Sequence, residues 1–284
     1  MNHSLCLSAI AALTLSLAGC INPLPGGLSA KTSDPAALAL LAASAEAHGG
    51  DEAFARVQTI RVSYDGEWLN NVWKLQPMLV DRGYRKASDE VIRYGTAWPA
   101  VEQVHRGPEG TKEVTWPASE GQTLDGGAAV SYDGEPIADP EVRVRQEEAS
   151  AMVAEAYRMF LTGPFYFTQR GGERVAVMGK PTRIDGRECD QVLVELRPGF
   201  GVSPEDRVMV AIDRETKLVR RVRFSLDGFR KTRGATADVE MSGFREIDGL
   251  VLPTEFLEIV VHPIDREVHR WAVTDLSVET DGSE

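Results

Sequence analysis

Cysteine is scarce in this 284-residue chain, with three in all, at positions 6, 20 and 189, and no CxxC spacing among them. A disulfide-stapled scaffold and a cysteine-rich zinc module are therefore excluded. Charge is missing from the amino terminus, where residues 1–19 hold no Lys, Arg, Asp or Glu. Long apolar runs are nearly absent too. Leu5 to Ala18 is the one such run, and it is shorter than the roughly 20 residues a spanning helix needs. Catalytic signatures are also lacking: there is no GxSxG, no HExxH and no Walker-type GxxxxGK[ST]. The five histidines show no paired spacing that would put two metal ligands on one face, so no metal or cofactor is expected. Basic residues are outnumbered, 31 Lys and Arg against 43 Asp and Glu, and the net charge of -12 argues against nucleic acid as a partner.

What is present begins with the apolar run. It ends in Leu17-Ala18-Gly19-Cys20, small residues closing a signal-peptide core. The tetrapeptide resembles a bacterial lipobox, which implies that residues 1–19 are removed and that Cys20 becomes an acylated first residue. Each buried methylene contributes about 0.8 kcal/mol, so several acyl chains on Cys20 would anchor the protein firmly. No Lys or Arg precedes the run, which departs from the usual export signal. Residues 20–34 carry Pro, Gly and small polar residues without periodicity and are expected to be a flexible tether. Cys189 would then be a single buried thiol beside a valine-rich strand.

Residues 35–284 are expected to form one domain. Asp34 and Pro35 open a helix whose apolar stripe is Leu38, Leu41, Ala42 and Ala45, and which Gly49 stops. His48, in its last turn, is placed where the helix dipole favours a cation. From Val57 the period becomes two, and strands continue to about residue 132. A second helix over 141–162 follows Asp139-Pro140, with Ala149, Met152, Val153, Ala156 and Phe160 at helical spacing, and ends at Gly163-Pro164. From Arg174 to Val278 alternation is almost unbroken, and the strand from Arg266 is apolar on both parities. Six of the seven Asp-Gly pairs, those beginning at residues 65, 125, 133, 185, 227 and 248, have the form of hairpin turns. The fold class is therefore α+β, mostly β: a curved antiparallel sheet wrapping a helix.

That layout, with Ala47-His48-Gly49-Gly50 ending the first helix, resembles the LolA/LolB-like lipoprotein-carrier superfamily. The best local signal is Ile247-Asp248-Gly249-Leu250-Val251-Leu252-Pro253, preceded by the strand pair Met209 to Asp213 and Leu218 to Leu226. The resemblance implies an incomplete, half-barrel sheet with helices covering its concave side, and an inner surface that takes lipid or acyl chains. No functional residue of the carriers maps onto this chain.

The residues add two candidate sites. Trp68, Trp73, Met152, Phe160, Phe165, Phe167, Phe224 and Trp271 are expected to contribute to a hydrophobic pocket between sheet and helix. A basic cluster, with Arg221 and Arg223 on one strand face and Arg230, Lys231 and Arg233 near a hairpin tip, is expected to meet phosphate head-groups or an acidic partner. The expected function is non-catalytic binding or transfer of a lipid or lipoprotein acyl group at the periplasmic face of the outer membrane, the inner membrane being the other possible site. Ile21 in place of Asp after the cysteine favours the outer membrane by the enterobacterial sorting rule. The alternatives are a protein-interaction or envelope-stress sensor module, with an envelope protein as partner, and third an enzyme with a carboxylate-based site.

Overall fold

A computed structural model describes residues 24–28, 32–74, 76–94, 100–117, 127–170, 174–225 and 234–281. Cys20, the signal segment, Trp98-Pro99 and the basic positions Arg230, Lys231 and Arg233 lie outside the described residues. Helices α1 (Pro35–Ala47) and α2 (Asp51–Phe54) come first, then the long strand β1 (Val57–Trp68) and the short helix α3 (Pro77–Val80). Strands β2 (Ala87–Arg93), β3 (Ala100–Gly107), β4 (Gly110–Trp116), β5 (Ala129–Tyr132) and β6 (Glu135–Pro136) follow. Helices α4 (Pro140–Thr162) and α5 (Pro164–Arg170) then interrupt the strands. The second run comprises β7 (Arg174–Ile184), β8 (Arg187–Leu196), β9 (Asp206–Asp213), β10 (Val219–Ser225) and β11 (Thr236–Ser242). After the two-stranded ribbon β12 (Arg245–Ile247) and β13 (Leu250–Leu252) come β14 (Glu255–His262) and β15 (Arg266–Thr280).

One 13-stranded sheet runs in the order β6-β5-β4-β3-β2-β1-β15-β14-β11-β10-β9-β8-β7, and every recorded strand pair is antiparallel. Its ends, β6 and β7, are not paired to one another, so the sheet is an open half-barrel. The last strand, β15, pairs β1 and joins the two runs at the centre. Pairing of first with last strand places both runs of strands in one sheet.

Local chemistry explains the helix starts. The Asp34 carboxylate accepts from the Ala36 N–H at 2.9 Å, and the Asp139 carboxylate accepts from Glu141 and Val142 at 2.8 and 3.1 Å, each ahead of a Pro that has no N–H to satisfy. Three Asp-Gly pairs are turns with positive φ at both residues: Asp133-Gly134, Asp185-Gly186 and Asp248-Gly249. Asp65-Gly66 is not a turn. It lies inside β1, where a Cβ on Gly66 would sit 2.8 Å from the Trp271 Cβ, so the glycine makes room for a neighbouring strand.

The apolar stripe of α1 is rotated from its expected place. Ala37, Leu41, Ser44 and Ala45 are buried, whereas Leu38 is 50% exposed. His48 sets this rotation, being buried and hydrogen-bonded on both ring nitrogens. Its Nδ1–H donates to the Val251 carbonyl at 2.6 Å, and the Val219 N–H donates to Nε2 at 3.2 Å. Burial lowers its pKa to about 4, so the expected cation is a neutral ring that ties α1 to β13 and β10. Strand β15 also differs from expectation. Val268, His269, Trp271 and Val278 are buried but Ala272 is exposed, because the sheet's convex side carries no second layer there.

Candidate functional site

The concave side of the sheet carries two chemistries. In the second half of the chain the inward residues are apolar: Val192, Val194 and Leu196 on β8, Val208, Val210 and Ile212 on β9, Val222 and Phe224 on β10. In the first half they are mixed: Ser88 and Glu90 on β2, Gln103 and His105 on β3 and Lys112 on β4 form a buried polar patch, beside Ile60, Val62 and Tyr64 on β1, Ile92, Val101, Val114 and Trp116. Helix α4 lies across both. From Ala149 to Thr162 every one of its residues is buried, so this part is enclosed on all sides rather than resting as a lid.

Over the apolar half, α4 contributes to a continuous aromatic cluster. Phe160 lies 5.6 Å from Phe224 and 6.2 Å from Trp271, which stacks on Phe256 at 5.0 Å and on Tyr157 at 5.1 Å. Phe200 continues the series, 6.1 Å from Phe224. Met152 is buried about two turns earlier on the same helix. The structure therefore unites Met152, Phe160, Phe224 and Trp271 of the expected pocket residues. Phe165 and Phe167 belong to the same buried cluster, whereas Trp68 and Trp73 pack in a separate one. Phe165 and Phe167 sit on α5, where Phe165 stacks on Phe54 at 4.2 Å. Trp68 stacks on His269 at 3.8 Å and donates to the Arg85 carbonyl at 2.7 Å, and Trp73 packs beside Val80, Val260 and Val268 at the end of α3.

Over the polar patch, buried charges fasten α3 and α4 to the sheet. Lys112 Nζ meets Asp81, just past α3, at 2.9 Å and Gln146 of α4 at 3.0 Å, while the Tyr132 hydroxyl donates to the same Asp81 oxygen at 2.7 Å. Burial pulls the Lys112 pKa down to about 8 despite the opposing Asp81 charge. Arg85 donates to the Leu79 carbonyl and, at 3.0 Å, to the Tyr157 hydroxyl, which in turn reaches His269 Nδ1 at 3.4 Å. Its guanidinium also covers the Trp68 and Tyr157 rings, at 5.2 and 5.4 Å. Two carboxyls share this interior. Burial pushes Glu90 up to about 8, although Gln103 donates to it at 2.9 Å, and Glu258 up to about 7. His105 and His269 are driven well below the usual histidine range by burial and by Arg85. Sequence reasoning passed over Arg85, Lys112, Tyr157, Glu90 and Glu258. Their signal was a charged residue at an inward parity, and in β2 that parity is masked because Val91 and Ile92 occupy both faces.

A second charge pair lies within α4. Glu155 accepts from the Tyr166 hydroxyl at 2.6 Å and from the Gly201 N–H at 2.8 Å, with Arg158 4.0 Å away and over the Tyr166 ring. On the convex side, Arg223 grips Asp238 through two hydrogen bonds of 2.5 and 2.7 Å, and Arg221 approaches the same carboxylate at 3.4 Å. The charge of Arg221 and Arg223 is thus met inside the fold, by a carboxylate on the adjacent strand that the expected head-group contact did not take into account. Beside them runs an open groove of about 590 Å³, lined by residues that include Glu240, Leu257, Arg270 and Ala272. Burial raises the Glu240 carboxyl.

No protein-family model and no curated protein matches the chain. Solved structures do. A DUF1329 family protein from Desulfovibrio piger is 14% identical with a TM-score of 0.51, covering 89% of this chain and 95% of that one. A LolA superfamily protein from Nitrosomonas europaea is 9% identical with a TM-score of 0.43, over 86% and 93% of the two chains. An outer-membrane lipoprotein-sorting protein domain from Vibrio parahaemolyticus is 10% identical with a TM-score of 0.41, over 82% and 91%. At these identities the likeness concerns the fold, an open antiparallel half-barrel with helices on its concave side. Among the described residues no helix is long and apolar enough to cross a membrane.

Proposed function

We propose that this protein is a membrane-anchored periplasmic lipoprotein that binds a hydrophobic ligand, a lipid or lipoprotein acyl chain, without catalysis. The observation that supports the reading is the concave face: an aromatic and aliphatic surface with one patch of buried polar groups on β2 to β4, in a sheet whose edges stay open. An amphiphile matches that arrangement, its chain against Phe160, Phe224 and Trp271 and its head toward Arg85 and Tyr157; because these side chains are buried against one another, its entry requires α4 to shift on the sheet. Apolar concave surfaces of this kind are the usual sites for small apolar ligands. Lys112 and Arg85 make contacts that hold α3 and α4 in place, and Glu90 accepts from Gln103 on the neighbouring strand. Cys20, acylated, supplies the anchor at the outer membrane, and Arg230, Lys231 and Arg233 meet lipid phosphates or an acidic partner.

Native mass spectrometry of protein extracted from membranes in mild detergent tests the binding. Adducts of one or more acyl-bearing molecules, removed by organic extraction and regained with a fluorescent fatty acid, are expected. A consistently empty protein with no affinity for the fatty acid contradicts it.

A further inference from the structure

The segment before α1 is docked on the sheet. Leu24 is 4% exposed, and the Pro25 carbonyl accepts from Arg207 at the start of β9. The Leu28 N–H donates to Glu195 near the end of β8, and Arg174 of β7 donates to the Leu28 carbonyl at 3.2 Å. Further on, the Asp34 N–H donates to the Val175 carbonyl of the edge strand at 2.8 Å. Residues 24–28 and 32–34 therefore do not hang free of the domain. This segment crosses the convex side at the end of the sheet where β8 meets β9, and only residues 21, 22 and 23 separate Cys20 from the first docked residue.

From this we infer that the end of the half-barrel carrying the loop 197–205 is the surface turned onto the bilayer, held there by the docked tether. The inference rests on Cys20 being the lipid anchor. Lengths decide it. Four residue steps reach at most about 14 Å, whereas the eight residues of β9 extend over about 26 Å. A free leash from Cys20 to Asp34 would reach about 50 Å and let any face approach the membrane. Docking at Leu24 removes that freedom and keeps the 197–205 end within a head-group layer or two of the acyl chains. The exposed chemistry there agrees. Val202 is one of three large hydrophobic residues exposed among the described residues, at 37%, and Arg197 in the same loop pairs with Glu205 at 2.8 Å. At the opposite end of β9 the turn after Asp213 presents Glu215, whose side chain is 88% exposed.

The test is a depth measurement on the full lipidated protein in phosphatidylethanolamine–phosphatidylglycerol vesicles. Val202→Cys and Glu215→Cys are labelled separately with an environment-sensitive fluorophore; Cys189 is buried and does not compete. Quenching by head-group spin-labelled lipid is expected to be at least twofold stronger at position 202 than at 215. A ten-residue Gly-Ser insertion between Asn22 and Pro23 should abolish the difference while the protein still floats with the vesicles. Equal quenching, stronger quenching at 215, or a difference that survives the insertion overturns the inference. Unmodified protein that fails to float shows instead that the anchor reading is wrong, and the orientation falls with it.

Discussion

His48 links sequence to stability more directly than any other residue. Its pKa falls from 6.5 to about 4 on folding, so the unfolded chain binds the additional proton as pH drops. Stability from this group is complete above pH 6.5 and is lost as pH falls toward 4, a difference of about 3 kcal/mol. Urea unfolding of wild type should therefore show stability rising across that window, and His48→Gln should flatten the slope while costing about 2 kcal/mol at pH 7 for the buried Val219 and Val251 groups left unpaired. The carboxyls Glu90 and Glu258 act in the opposite direction. Their folded values of about 8 and about 7 lie above the ordinary 4.5, so the folded state holds protons that the unfolded state releases, and stability falls as pH rises from 4.5 to 8. Glu90→Gln should reduce that loss, seen as a smaller stability difference between pH 6 and pH 9. Neither effect was legible beforehand. A histidine in a last turn and a glutamate in an alternating strand take their meaning from partners 203 residues away, as with Val251, or 13 away, as with Gln103.

At the scale of elements, α4 was the most readable part of the chain and the most changed by tertiary context. Its cap at Asp139, its start at Pro140 and its end before Gly163 follow from capping chemistry alone. Its all-round burial does not, because Glu155 and Arg158 look like an exposed helix face until Tyr166, Gly201 and the ring of Trp116 are placed around them. Truncating Phe160 to Ala should cost about 3–5 kcal/mol, since it removes a ring packed on Phe224 and Trp271. A saturated fatty acid should restore part of the lost melting temperature in that variant, measured by thermal unfolding with and without the ligand. Lys112→Ala releases Asp81 and Gln146 together, so amide exchange should accelerate in α3 and in the first half of α4 while β8 to β10 remain protected.

For the whole molecule, strand periodicity and turn residues were enough to specify a curved antiparallel sheet around a helix, and the resemblance to the lipoprotein carriers implied its half-barrel form. The closing of first strand on last, β1 on β15, and the gathering of buried polar groups into one patch on β2 to β4 were not, because both depend on which distant strands become neighbours. Replacing Cys20 with Ala should release a folded, soluble protein from the membrane fraction, with a melting temperature within a few degrees of the delipidated wild type. The docked contacts of residues 24–28 survive that change, since none of them involves Cys20. The claim that the concave face receives an amphiphile is tested most directly by photo-crosslinking. Delipidated protein is loaded with a fatty acid bearing a terminal diazirine, irradiated, digested and mapped. Crosslinks concentrated on α4 between Met152 and Phe160 and on Phe224 or Trp271 are predicted, whereas crosslinks confined to the convex groove around Glu240 and Leu257, or none at all, would contradict the account.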